Sequence, residues 1–85
     1  MKSGDLLDRA AHGTVSNVRF ADLQHLVEAL GFQRQRIRGS HHTYRHPALR
    51  TTVNLQPQGR QAKPYQVRQV ARLALLYSLK VEDDT

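Results

Sequence analysis

From Arg19 onward, apolar residues fall at Phe20, Leu23, Leu26, Val27 and Leu30. These three- and four-residue steps bring side chains to one face of an α-helix, and Gly31 sits where such a helix ends. The period then shortens. FQRQRIR (Phe32 to Arg38), HHTYRH (His41 to His46) and TTVNLQ (Thr51 to Gln56) read as three strands. The turns between them, Gly39-Ser40 and Pro47 to Arg50, are short enough to force antiparallel neighbours. QPQGRQAK reads as a polar loop around Gly59. Pro64 suits a first helical turn, where its missing N–H costs nothing, and Val67, Val70, Ala71, Ala74 and Tyr77 supply a second apolar helix face. In front, MKSGDLLDRAAH predicts a short helix capped by Ser3, with Leu6, Leu7 and Ala10 on one side and Gly13 at its end. GTVSNV follows it as a connector.

This order predicts an α+β two-layer sandwich, α-β-β-β-α, with a short N-terminal helical arm. The helices cover one face of the small sheet and the other face stays open to solvent. The predicted division is an arm and connector over 1–17, a main unit over 18–79 and an acidic tail over 80–85. At 85 residues the chain has room for one small core, burying only about 60% of its unfolded surface. It has no cysteine, so neither a disulfide nor a thiolate metal site can supplement that core. With no secretory signal pattern and no apolar run near the roughly 18 residues that span a bilayer, a soluble cytoplasmic protein without membrane contact is expected.

Charge changes the picture more than composition does. The acids are Asp5, Asp8, Asp22, Glu28, Glu82, Asp83 and Asp84, all towards the two ends. Between Ala29 and Val81 there is no carboxylate, while the same interval holds Arg34, Arg36, Arg38, Arg45, Arg50, Arg60, Lys63, Arg68, Arg72 and Lys80. A contiguous basic middle is the footprint of a polyanionic partner, and arginine binds phosphate through two oxygens at once. An acidic protein would suit the same surface.

The stretch GSHHTYRHP places His41, His42 and His46 within six residues. In a strand, successive side chains point to opposite faces and each residue advances about 3.3 Å. His41 and His42 therefore point apart, and His42 and His46 share a face about 13 Å apart, too far to hold one ion. No cysteine or carboxylate lies nearby to complete a ligand set, so neither a metal nor another cofactor is expected. Tyr44 is the bulky apolar-bodied residue of the strand, so its face should meet the helices together with His42 and His46. His41, Thr43 and Arg45 should then face outward. RNA carries its own nucleophile, the 2′-hydroxyl, and a histidine can take that proton or protonate the leaving 5′-oxygen without a metal. Arginine or lysine stabilises charge gathering on the phosphate oxygens.

LVEALGFQRQRIRGSHHTYRHP, with its leading helix, Gly-Phe strand start, basic residues and Gly-Ser-His element, resembles the HicA family of bacterial type II toxins. VNLQPQGRQAKPYQVRQV is similar to the tail of a subgroup of that family. The resemblance covers about residues 18 to 79. It implies a fold like the double-stranded RNA-binding domain and an mRNA interferase activity, restrained by a HicB-type antitoxin that covers the active face. It puts the catalytic histidine at His41, with His42 as the alternative, because some relatives have their only histidine one place later. The chain departs from the commonest pattern in having VNLQP where many members end a strand in Thr-Val-Pro, and in its N-terminal extension.

The catalytic candidate is thus His41, or alternatively His42, with Arg36, Arg38, Arg45, Lys63 and Arg68 as nucleic-acid-binding candidates. Lys63 stands just before Pro64, at a helix N-terminus that itself attracts phosphate. Tyr65 and Arg72 read as a helix-start packing residue and a solvated charge, and Ser40 as a turn residue. Two other functions remain open for the same residues. One is a non-catalytic module that recognises double-stranded RNA by its shape. The other is a component of a protein complex.

Overall fold

In a computed structural model, which describes residues 1–82, the chain runs α1 (Ser3–Ala11), α2 (Phe20–Ala29), β1 (Gln33–Arg38), β2 (His41–Arg45), β3 (Thr52–Leu55), β4 (Pro57–Gln58), β5 (Gln61–Ala62) and α3 (Pro64–Leu76). From the predicted 80–85 tail, Asp83, Asp84 and Thr85 lie outside the described residues. Strands β1, β2 and β3 form an antiparallel sheet in that order, so the main unit is the α-β-β-β-α arrangement expected for a fold like the double-stranded RNA-binding domain.

The apolar spacing explains which faces are buried. Leu23, Leu26 and Val27 of α2, Val67, Val70 and Ala74 of α3, and Tyr44, Val53 and Leu55 of the sheet meet in one core. The leading helix belongs to that core as well. α1 is too short to be stable alone, yet Leu6 is fully buried and Ala10 nearly so, and the helix packs on both α2 and α3. Burying one leucine side chain contributes about 1.5–3 kcal/mol, so packing on α2 and α3 adds stability that the isolated nine-residue helix lacks.

Four local expectations need correcting. Ser3 does not cap α1: Lys2 holds the cap position, no side-chain cap bond forms, and Ser3 is itself buried in the first turn. GTVSNV is more than a connector, since Val15 and Val18 are buried. The polar loop is a hairpin, β4 paired with β5, which Ala62 N–H joins to the Val18 carbonyl at 2.7 Å. Tyr77 caps the end of α3 and is 45% exposed rather than part of its buried face.

Gly31 ends α2 as the sequence predicts, and two constraints meet there. Its φ of +100° closes a Schellman turn in which Phe32 N–H bonds the Val27 carbonyl and Gly31 N–H that of Glu28. A Cβ on Gly31 would lie 2.7 Å from Nε2 of His46. The His46 ring is held there by the Ala48 N–H, which donates to its Nδ1 at 3.0 Å, and by edge packing on Phe32 at 5.2 Å. His46 therefore plugs the α2–β1 turn.

Candidate functional site

Cross-strand pairing shows which side chains share a face. Arg38 pairs with His41 and Arg36 with Thr43 on the open side, while Ile37 pairs with His42 and Arg34 with Tyr44 on the helix side. Arg34 and Arg36 would share a face in a regular strand. A bulge between them puts them on opposite ones, so two arginines of β1, not three, join His41. All six residues of β1 are exposed, and the edge strand carries its charges into solvent.

Strand parity also divides the histidines as predicted. His42 is half-buried against the ring of Phe20, with centroids 5.1 Å apart, and its Nδ1 accepts from the Gln24 amide at 3.3 Å. The same Gln24 amide donates to the Tyr44 hydroxyl at 3.1 Å. Burial raises the Tyr44 pKa above the ordinary 10.0, with the Glu28 charge adding to it, against the Gln24 hydrogen bond and Arg34, which lower it. His42, Gln24 and Tyr44 form a structural network. His41 is exposed, and no side-chain hydrogen bond holds its ring among the described residues.

His41 opens onto a shallow depression of about 290 Å³, lined also by Asn54, Gln56, Tyr65, Gln66 and Gln69. The N-terminal turn of α3 forms its far wall, and a glutamine fixes that turn in place. Gln66 is 4% exposed; its Oε1 accepts the Gln56 N–H at 3.1 Å, and its Nε2 donates to the Asn54 carbonyl at 3.2 Å. Those are ladder positions on the free edge of β3, so the carboxamide satisfies backbone groups that no further strand pairs. A second chain of bonds closes the end of the sheet: Lys63 Nζ donates to Gln56 Oε1 at 3.3 Å, and Gln56 Nε2 donates to Ser40 Oγ at 3.2 Å. Lys63, at the cap of α3, and the β1–β2 turn beside His41 are thereby tied to one side chain.

The predicted basic residues do not all gather here. Arg38 and Lys63 flank His41, and Arg36 lies one pair further along the open face. Arg45 shares that face at the other end of β2, four residues away, or about 13 Å. Arg68 lies beyond the Tyr65–Gln69 ridge, in a separate shallow recess with Arg72. Tyr65 does not have the packing role the sequence suggested: it is 57% exposed. Gln56 and Gln66 carried no sequence signal of their own. The available hint was a cluster of glutamines in an otherwise basic segment, whose contacts only the edge of β3 explains. Among the described residues the one ion pair joins the N-terminal ammonium to Asp22 at 3.5 Å, so the basic residues of the open face have no carboxylate partner there.

A comparison with protein families matches residues 20–76 to the family described as "HicA toxin of bacterial toxin-antitoxin". The chain belongs to the HicA toxin family. Compared with curated proteins and with solved structures, it matches none. The family match runs from the first residue of α2 to the last of α3, so α1 precedes the HicA region although it shares its core. Membership makes the chain a toxin of a toxin-antitoxin system, from a family of generally ribonucleolytic toxins with antitoxin partners. No helix among the described residues is long and apolar enough to cross a membrane.

Proposed function

We propose that this HicA toxin is a metal-independent endoribonuclease, an mRNA interferase, whose working residue is His41. The observation that carries the proposal is the pairing of an exposed His41 with Arg38 and the Lys63–Gln56–Ser40 chain on a face that lacks any carboxylate partner among the described residues. Cations without counter-charges attract a phosphodiester. His41 then acts as general base or general acid. As base it takes the proton of the 2′-hydroxyl, whose oxygen attacks the adjacent phosphorus. The bond to the 5′-oxygen breaks and that oxygen takes a proton, leaving a 2′,3′-cyclic phosphate and a 5′-hydroxyl. As acid, His41 supplies that second proton and water accepts the first. Lys63 and Arg38 stabilise the charge on the non-bridging oxygens, and Arg36, Arg45 and Arg68 hold flanking phosphates. His42 is the poorer candidate because it is half-buried, packed against Phe20 and already held at Nδ1 by Gln24.

Within the cell, a HicB-type antitoxin is the partner that restrains the activity by covering the open face, in a cytoplasmic complex. The unit that binds RNA spans 18–79, with 1–17 bracing it. The test is cleavage of labelled RNA by the purified toxin in buffer containing a chelator. Wild type should yield cyclic-phosphate ends, and His41→Ala should bind RNA without cutting it. If wild type binds double-stranded RNA and leaves every RNA intact, the chain is a binding module instead.

A further inference from the structure

We propose that the depression beside His41 is a subsite for one unpaired nucleobase, stacked on Tyr65 and read at its edge by Gln69 and Asn54, so that the toxin takes single-stranded RNA. The inference rests on the ribonuclease reading for its ligand class, and on the lining of the depression for its content. The lining bears no lysine, arginine or carboxylate. Phosphate calls for donors alone, whereas a carboxamide offers a donor and an acceptor together, which matches the edge of a heterocycle. The cations stand at the rim instead, with Lys63 beyond Gln56 and Arg38 across from His41. Bases inside and phosphates outside is the arrangement single-strand binders use.

Hydrogen bonding separates the scaffold from the groups left for a ligand. Gln66 uses both ends of its carboxamide on β3 and also donates to the Tyr65 hydroxyl at 3.3 Å. Gln56 uses both ends on Lys63 and Ser40. Asn54 accepts from Thr43 through Oδ1 at 3.3 Å, leaving its amide N–H groups as donors. Gln69 is exposed one helical turn after Tyr65 and keeps both donor and acceptor. The Tyr65 ring is thus anchored at its hydroxyl while more than half exposed. An aromatic ring presented in this way, next to donors and an acceptor, is a stacking platform. The volume of about 290 Å³ lies near the lower end of the range for small-molecule sites, roughly 300–1,000 Å³, and suits one heterocycle. A base in a duplex has both faces stacked and cannot enter.

The test uses the full-length toxin, short labelled RNAs and two readouts, fluorescence anisotropy in the non-cleaving His41→Ala background and cleavage in the wild-type background. Tyr65→Ala should weaken binding of single-stranded RNA by about 5- to 150-fold, the range for loss of one stacked base. Tyr65→Phe keeps the ring and loses only its hydroxyl anchor, so it should weaken binding much less than Tyr65→Ala. An RNA lacking one base should erase the effect of Tyr65→Ala when the abasic site falls at one position only, and Gln69→Ala should flatten base preference there. Circular dichroism of each variant checks the fold. If Tyr65→Ala binds and cleaves like wild type, the subsite is wrong and the ribonuclease reading stands. Equal losses on duplex, on every abasic strand and on intact RNA also overturn the subsite, because they report phosphate contact or misfolding. Weakened binding of an antitoxin with RNA affinity unchanged overturns it in favour of a protein contact. Tyr65-dependent binding by a wild type that cuts no RNA leaves the subsite intact and removes the ribonuclease reading.

Discussion

His41 and His42 are neighbours in one strand, yet the molecule treats them as different kinds of residue. His42 faces the helices, where a T-shaped contact with Phe20 and the Gln24 amide hold its ring beside the buried Tyr44. His41 faces outward, with Arg38 opposite and no side-chain hydrogen bond on its ring among the described residues. A ring packed against an aromatic neighbour and held at Nδ1 has less freedom to meet a phosphodiester than an exposed ring with no side-chain partner. The difference teaches that β2 divides its histidines into structure on one side and candidate chemistry on the other, with His46 joining the structural side at Gly31.

The strongest way to break this comparison is to exchange the two losses. His41→Ala should reduce RNA cleavage by about 10²- to 10⁴-fold, the usual contribution of a general acid or base. Its stability should stay within about 0.5 kcal/mol of wild type, as for other exposed positions. His42→Ala should do the reverse. Losing an aromatic edge contact and one hydrogen bond costs about 1–2.5 kcal/mol, while cleavage per folded molecule persists. Chemical denaturation and single-turnover cleavage on both variants decide it; a dead His42→Ala with normal stability would invert the assignment.

The next effect concerns His46. Gly31→Ala forces a side chain into a left-handed backbone, at about 1–2 kcal/mol, and against the His46 ring. A total loss of about 2–5 kcal/mol in urea denaturation is expected. Measured against His46→Ala alone, Gly31→Ala should cost only the backbone part, because the ring it would strike is gone. An equal cost of Gly31→Ala in both backgrounds would mean that His46 does not fill the turn.

A smaller difference lies between arginines of one strand. Arg36→Ala should weaken RNA binding and lower the salt slope by about one, whereas Arg34→Ala, on the helix side of the bulge, should change the slope less. Equal slopes would show that RNA contacts both sides of β1.

The smallest effect is visible only in alkali. Because the pKa of Tyr44 is raised by burial, its neutral form is favoured in the folded state, and that contribution is complete below the ordinary value of 10.0. Above it the unfolded chain ionises while Tyr44 resists, so stability falls with rising pH until Tyr44 itself ionises. Tyr44→Phe should flatten this fall in melting temperature between neutral pH and the alkaline limb. An unchanged slope would assign the loss to the other tyrosines.

Much of this was legible in the chain because the rules involved are local. The spacing of Leu23, Leu26 and Val27 locates α2, the positive-φ Gly31 ends it, and the two-residue period of HHTYRH sorts His42 and Tyr44 from His41 and Arg45. Ser3 departs from its capping pattern because the helix begins one residue earlier, with Lys2 at the cap. Tyr65 has the pattern of a packing residue after Pro64, yet the neighbouring Gln66 takes the buried place.

What the sequence determined by itself is therefore the order of the three helices and three sheet strands, the antiparallel sheet, the basic acid-free middle and the division of the histidines by face. Each follows from residues a few positions apart or from composition alone. The tertiary structure decided that α1 completes the core, that a bulge turns Arg34 away from Arg36, and that Gln66 carries Tyr65 and Lys63 to the edge of β3 beside His41. Those outcomes depend on unpaired backbone groups and apolar faces that meet only once distant segments have packed, and no local pattern encodes which groups will be left to satisfy.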